Sequence, residues 1–190
     1  MNEGPLTVRG ASFAMTMIVA MAGLPATGKS ALACCLADEL PAIVLDKDIV
    51  RAALFPPSEI EFSLRQDDFC MGVMMSVAKY ILGRDRAKHV ILDGRTFSRR
   101  YQLEDWRRLA DELSVSFAVI ECTCADQTAK RRLTRDIAQG RHVATNRTYE
   151  MYLAVKAQFE PIPAPKLVVD TDQDLERCVS LALQYLRDRG

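Results

Sequence analysis

Gly23-Leu24-Pro25-Ala26-Thr27-Gly28-Lys29-Ser30 follows the apolar run Met17-Ile18-Val19-Ala20-Met21-Ala22 and leads into Ala31-Leu32-Ala33. The eight residues satisfy G-x-x-x-x-G-K-[ST], with a short buried strand before them and a helical stretch after them, the context that pattern requires. Glycine tolerates positive φ, so main-chain N–H groups can close around phosphate oxygens, and the helix start adds the positive end of its dipole. A nucleotide cradle is therefore expected from Gly23, Leu24, Pro25, Ala26, Thr27, Gly28, Lys29 and Ser30, with Leu32 in the following turn. Lys29 is expected to reach the β- and γ-phosphates of ATP (or GTP), and Ser30 to offer its hydroxyl to Mg²⁺.

Outward from this loop, short apolar runs alternate with longer amphipathic stretches. Residues 17–22, 42–45, 90–92, 116–120 and 167–169 read as buried strands, and residues 29–40, 47–54, 64–82, 99–113, 126–138, 148–159 and 175–187 as helices. Strand and helix taking turns predicts an α/β fold with a five-stranded, mostly parallel sheet covered on both faces. In such sheets ligands sit beyond the carboxyl ends of the strands, so chemistry is sought just after each one.

After the second strand comes Leu45-Asp46-Lys47-Asp48-Ile49-Val50-Arg51, two carboxylates where the phosphate crevice opens, one of them able to serve as a base and Asp46 also expected at the substrate. At i, i+3 spacing Asp48 and Arg51 share a helix face, where the carboxylate can take a proton from an acceptor hydroxyl while the guanidinium grips the same substrate. The bland alternative has Asp46 capping the helix, Asp48 complementing its dipole and Arg51 as a solvated partner; capping and catalysis are compatible. The third strand ends in Asp93-Gly94, a carboxylate placed to contact Mg²⁺ or simply a strand-end turn. Beyond it Arg95 and Thr96 are candidates for the acceptor site, and Ser98 for the cap of the next helix. Arg131, Arg132, Arg135, Arg141 and Arg147 cluster around Gln139-Gly140, a short lid whose arginines can close over a triphosphate. Arg135 is favoured as the catalytic arginine, then Arg132, against a solvated helix with Arg132 paired to Asp136.

Taken together, these motifs make the chain resemble the P-loop kinases that include bacteriophage polynucleotide 5′-hydroxyl kinase, chloramphenicol phosphotransferase and related small AAA-like ATPase/kinase domains. The resemblance spans nearly all of the chain after Met15, although only the cradle is specific alone. It implies a P-loop NTPase sheet in the order 2-3-1-4-5. In the polynucleotide kinase an Asp, followed three residues later by an Arg, supplies the general base and a grip on substrate phosphate; these map onto Asp48 and Arg51.

Composition sets the bounds. At 190 residues, 49% hydrophobic and 26% charged, the chain suits one globular domain over residues 15–190, preceded by a disordered or incidental extension over residues 1–14. With 25 basic and 25 acidic side chains, no net field draws it to nucleic acid or anionic membrane. The longest apolar runs are too short for a bilayer and none reads as a signal peptide, so a cytoplasmic monomer or homodimer is expected. Six cysteines lack C-x-x-C spacing and read as reduced core residues. Met71, Met74 and Met75, and Trp106 with Leu103, Leu109 and Ala110, read as buried helix faces; His89 and His142 receive no role.

The leading expectation is an ATP-dependent phosphotransferase acting on a hydroxyl of a small molecule. Acidic Glu59 and Glu61, in the segment opened by Pro56-Pro57, weigh against a polynucleotide acceptor, which remains the second reading. A regulatory ATPase without a small-molecule acceptor is the third, and Asp48→Ala separates it from a kinase.

Overall fold

A computed structural model describes residues 15–139 and 148–189. The extension over residues 1–14, together with Gly140, Arg141, His142 and Arg147, lies outside the described residues. Five parallel strands form one sheet in the order β2-β3-β1-β4-β5: β1 (Met17–Ala22), β2 (Ala42–Asp46), β3 (His89–Asp93), β4 (Ser116–Thr123) and β5 (Leu167–Asp170). Each strand lies at or within a few residues of its expected place. β4 runs on to Thr123 because its extra residues find partners on β5, Cys122 opposite Val169 and Thr123 opposite Asp170.

β1 shows why the run Met17 to Ala22 has no polar residue. It lies between β3 and β4, and all six residues are buried. Alternation then divides them between two cores. Met17, Val19 and Met21 meet Leu32, Ala33 and Leu36 of α1 (Lys29–Glu39) and Cys178, Ala182 and Leu186 of α7 (Leu175–Arg187). Ile18, Ala20 and Ala22 meet Met74 and Ala78 of α3 (Leu64–Arg84) and Leu103 and Trp106 of α4 (Arg100–Leu113). The expected buried faces of α3 and α4 are thus core, Met75 packing at the edge.

Two shorter layers border the cradle. α2 (Lys47–Leu54) stops at Phe55 just before Pro56-Pro57, as the missing proline N–H requires. α5 (Asp126–Gln139) and α6 (Tyr149–Ala157) pack as a pair on the cradle through Ala26, Ala129, Leu133 and Tyr152. The Tyr152 hydroxyl donates to Asp126 Oδ1 at 2.7 Å, joining the two helices.

The cap of α4 differs from expectation. Ser98 does not cap it; Arg99 occupies the N-cap, the Glu160 carboxylate accepts from Arg100 N–H at 3.1 Å, and Gln102 Oε1 accepts from Arg99 N–H at 3.2 Å. A carboxylate from 60 residues downstream performs a job that local reading assigned to the nearest hydroxyl.

Among the described residues every cysteine is free, no group of three or more His, Cys, Asp or Glu side chains could hold a metal ion, and no helix is long and apolar enough to cross a membrane. Burial pushes the Cys122 thiol up to about 12, which leaves it an inert core residue. His89 has a structural task, its Nδ1 accepting from Met17 N–H at 3.2 Å.

Candidate active site

The cradle is held from three sides. Gly23, at φ 124°, donates its N–H to Thr96 O at 3.1 Å. A Cβ at Gly23 would stand 2.2 Å from Cys122 O, so only glycine lets the loop leave β1 against β4. Gly23→Ala is therefore expected to destabilise the protein by roughly 3 kcal/mol or more, strain and overlap together, read as a lowered midpoint in chemical denaturation. Arg132 braces the loop from α5: its guanidinium donates to Ala26 O at 3.2 Å, Thr171 Oγ1 at 3.0 Å and Thr171 O at 2.8 Å. Arg132 is thus engaged with the cradle and the turn after β5, and the Asp136 pairing weighed above is not made.

A cleft of about 680 Å³ opens along the carboxyl ends of the strands. Pro25, Ala26, Gly28, Lys29 and Ser30 line one end. Gly23, Leu24 and Thr27 shape the loop: Thr27 Oγ1 and Lys29 Nζ both donate to Leu24 O, at 2.8 and 2.7 Å. Lys29 also donates to Gly23 O at 2.9 Å, and its side chain is buried within the loop. Leu32 adjoins the cleft, but its side chain is fully buried in the α1–α7 core layer.

At the other end β2 and β3 finish side by side, Asp46 in register with Asp93. Asp46 caps α2, accepting from Asp48 N–H at 2.7 Å and Ile49 N–H at 3.2 Å. Gly94, at φ 81°, makes the approach possible, since a Cβ there would lie 2.8 Å from Asp46 Oδ1 and from Lys47 N. Burial first, and then the Asp93 charge, push the Asp46 carboxyl above its ordinary range. A carboxyl raised by folding contributes stability at acid pH and loses it as pH climbs through the folded-state value. Asp46→Asn keeps the capping oxygen and removes the charge. It is expected to melt higher than the parent at neutral pH, the gap closing as pH falls through the carboxylate range, measured by thermal scans across pH.

Asp93 is only 2% exposed and its Oδ1, buried, has no hydrogen-bond partner among the described residues. An orphaned carboxylate oxygen in the cleft that Ser30 also lines suits a cation, and these two residues fit the Mg²⁺ that a phosphate cradle implies.

Asp48 and Arg51 do lie together, Arg51 Nη1 donating to Asp48 Oδ1 at 2.6 Å. Arg51 is no solvated partner, however. It is 2% exposed, covers the Phe62 ring at 5.3 Å, and its Nη2 pairs with Asp67 of α3. Lys47 completes the network, 2.7 Å from Asp67 and 3.2 Å from Asp48. Arg95 is buried and paired with Asp68 at 2.5 Å, and Thr96 lines the cleft beside it. Arg135 also lines the cleft, 61% exposed and 3.9 Å from Asp136, a solvent-screened pair worth little. Arg131 is exposed and does not join the cleft lining.

A family model described as an AAA domain matches residues 18–162. The chain belongs to that AAA domain family. Similar solved structures include an APS kinase of Mycobacterium tuberculosis in complex with AMPPNP and APS, 19% identical over 90% of this chain and 98% of that one, TM-score 0.67. A gluconokinase of Sinorhizobium meliloti 1021 is 16% identical over 94% of each chain, TM-score 0.65. Kti12 of Chaetomium thermophilum, in complex with ADP-AlF3, is 15% identical over 90% and 98%, TM-score 0.67. At such identities the likeness concerns the fold, a P-loop NTPase. No curated protein sequence matches the chain.

This AAA domain also brings to the cleft residues that reading the sequence passed over. Thr171 and Gln173 enter from the turn after β5, where the rule of looking beyond each strand end would have found them. Lys47 stands between Asp46 and Asp48 in sequence, and its ammonium pairs with Asp48 and Asp67. Asp67 and Asp68 carried no signal at all, lying inside a long helix far from the cradle in sequence.

Proposed function

We propose that the protein is an ATP-dependent phosphotransferase that moves the γ-phosphate to a hydroxyl of a small molecule. The observation that carries this reading is the continuity of one cleft, with a phosphate cradle at one end and Asp48 at the other. A machine that only hydrolyses nucleotide needs the first end and not the second.

In this reading the cradle amides and Lys29 bind and orient the triphosphate, Lys29 exchanging its loop carbonyls for phosphate oxygens. Asp48, oriented by Arg51 and Lys47, takes the proton of the acceptor hydroxyl. The acceptor oxygen bonds to the γ-phosphorus as the bond to the β,γ-bridging oxygen breaks, and ADP leaves. Ser30 and Asp93 would hold Mg²⁺, which supplies neutralisation of the charge on the transferring group. Arg135 closes over the same charge from the lid, while Arg132 positions the cradle. The APS kinase and gluconokinase likenesses support an acceptor of small size, and the AMPPNP and ADP-AlF3 complexes support ATP as donor. Location in the cytoplasm and a monomeric or homodimeric state belong to the same proposal.

The test is a panel of hydroxyl compounds and 5′-hydroxyl oligonucleotides incubated with γ-labelled ATP. Label on one or more small molecules is the expected result. Label confined to oligonucleotides, or ATP hydrolysis with no acceptor labelled, sinks this reading.

A further inference from the structure

Three cations, Lys47, Arg51 and Arg95, belong to the acceptor half of the cleft, and each already has a carboxylate. Arg51 and Lys47 share Asp48 and Asp67, and Arg95 holds Asp68. Three positive charges thus face three negative ones. Two of those carboxylates come from consecutive positions on α3, a helix that packs against α2; Asp67 lines the cleft and Asp68 pairs with the cleft residue Arg95. A guanidinium whose fork already grips a carboxylate has few donors left and little net field for an incoming anion. Seating an anion there would require displacing Asp67 or Asp68 and leaving like charges side by side in a partly buried site.

A second feature points to what the pocket accepts. Phe62 has a φ of 39°, a region that residues with side chains seldom occupy, and its ring lines the cleft beneath the Arg51 guanidinium. The acceptor half therefore pairs an apolar ring with a neutralised polar network. That combination suits the C–H face and the hydroxyls of an uncharged polyhydroxy molecule.

We propose that the acceptor is an uncharged polyhydroxy compound, a polyol or an underivatised sugar, and that Asp67 and Asp68 are specificity-determining residues that exclude phosphorylated, sulfated and carboxylated acceptors. This rests on the phosphotransferase reading of the cleft. The transferred group and the bonds made and broken are those given above.

The experiment titrates inorganic sulfate calorimetrically into the whole protein saturated with AMPPNP and Mg²⁺, comparing wild type, Asp67→Asn and Asp68→Asn. Wild type is expected to give no sulfate heat. At least one variant, with Arg51 or Arg95 released, is expected to bind sulfate ~10-fold or more tightly than wild type. Asp68 is 46% exposed, so Asp68→Asn keeps the comparison open if Asp67→Asn fails to fold. Sulfate binding to wild type as tight as to the variants, or no gain in any folded variant, overturns the proposal. Absence of AMPPNP heat instead sinks the phosphotransferase reading; sulfate contrast between wild type and variant is then read without AMPPNP and still decides anion exclusion, because the cradle is common to all. In the labelled-ATP panel, a wild-type preference for an anionic acceptor over its uncharged counterpart overturns the proposal as well.

Discussion

Lys29→Ala is expected to lower phosphotransfer by about 10³-fold or more while the protein stays folded. Lys29 carries the one ammonium within the eight-residue cradle, and it is buried where bulk water screens it little. Its partners include Gly23 O at 2.9 Å and Leu24 O at 2.7 Å, main-chain oxygens that hold it near the loop. Phosphate oxygens compete well for such a cation, since a charged acceptor roughly doubles the strength of a hydrogen bond over a neutral one. Losing the two carbonyl contacts costs stability on the order of 1–2 kcal/mol, visible as a drop of a few degrees in melting temperature. Steady-state transfer of label from ATP, alongside a melting curve, separates the two effects. Transfer within tenfold of wild type would mean that the γ-phosphate reacts somewhere other than this loop.

The second large effect concerns Asp48. Asp48→Asn is expected to reduce transfer by about 10²- to 10⁴-fold, the usual contribution of a positioned base, and to leave AMPPNP affinity within a few-fold of wild type. Asparagine keeps an oxygen for Arg51 Nη1, which lies 2.6 Å from Asp48 Oδ1, so the network with Lys47 and Asp67 has the means to persist. What disappears is the capacity to take a proton. Calorimetric binding of AMPPNP and single-turnover transfer give the two readouts. A regulatory ATPase would instead keep its full hydrolysis rate in this variant, and that result would remove Asp48 from the chemistry.

The two predictions differ in how their residues came to light. Lys29 follows from eight consecutive residues, and the loop it belongs to folds largely through its own backbone. Asp48 and Arg51 were legible as a pair because they stand three positions apart on one helix, and the structure has them in contact. Their setting was not legible. Arg51 was weighed as either a substrate grip or a solvated side chain, and it is a buried cation held by Asp67, 16 positions away. Arg95, a candidate for the acceptor site, lines the cleft, yet its partner Asp68 is 27 positions distant. Arg132 was read as a lid residue, while its hydrogen bonds reach 106 positions to Ala26 and 39 to Thr171.

By itself the sequence determined the strands, the helices, the cradle and the strand-end carboxylates Asp46 and Asp93. Each of these depends on short-range physics: alternation along a strand, the 3.6-residue period of a helix, the backbone freedom of glycine, and one carboxylate at the last residue of a buried run. Tertiary structure alone decided which charges neutralise one another, since α3 must fold back across the sheet before Asp67 and Asp68 can face Arg51 and Arg95. Side-chain ion pairs act over a few ångströms, and nothing in a linear order of residues says which distant positions the packed chain will bring that close.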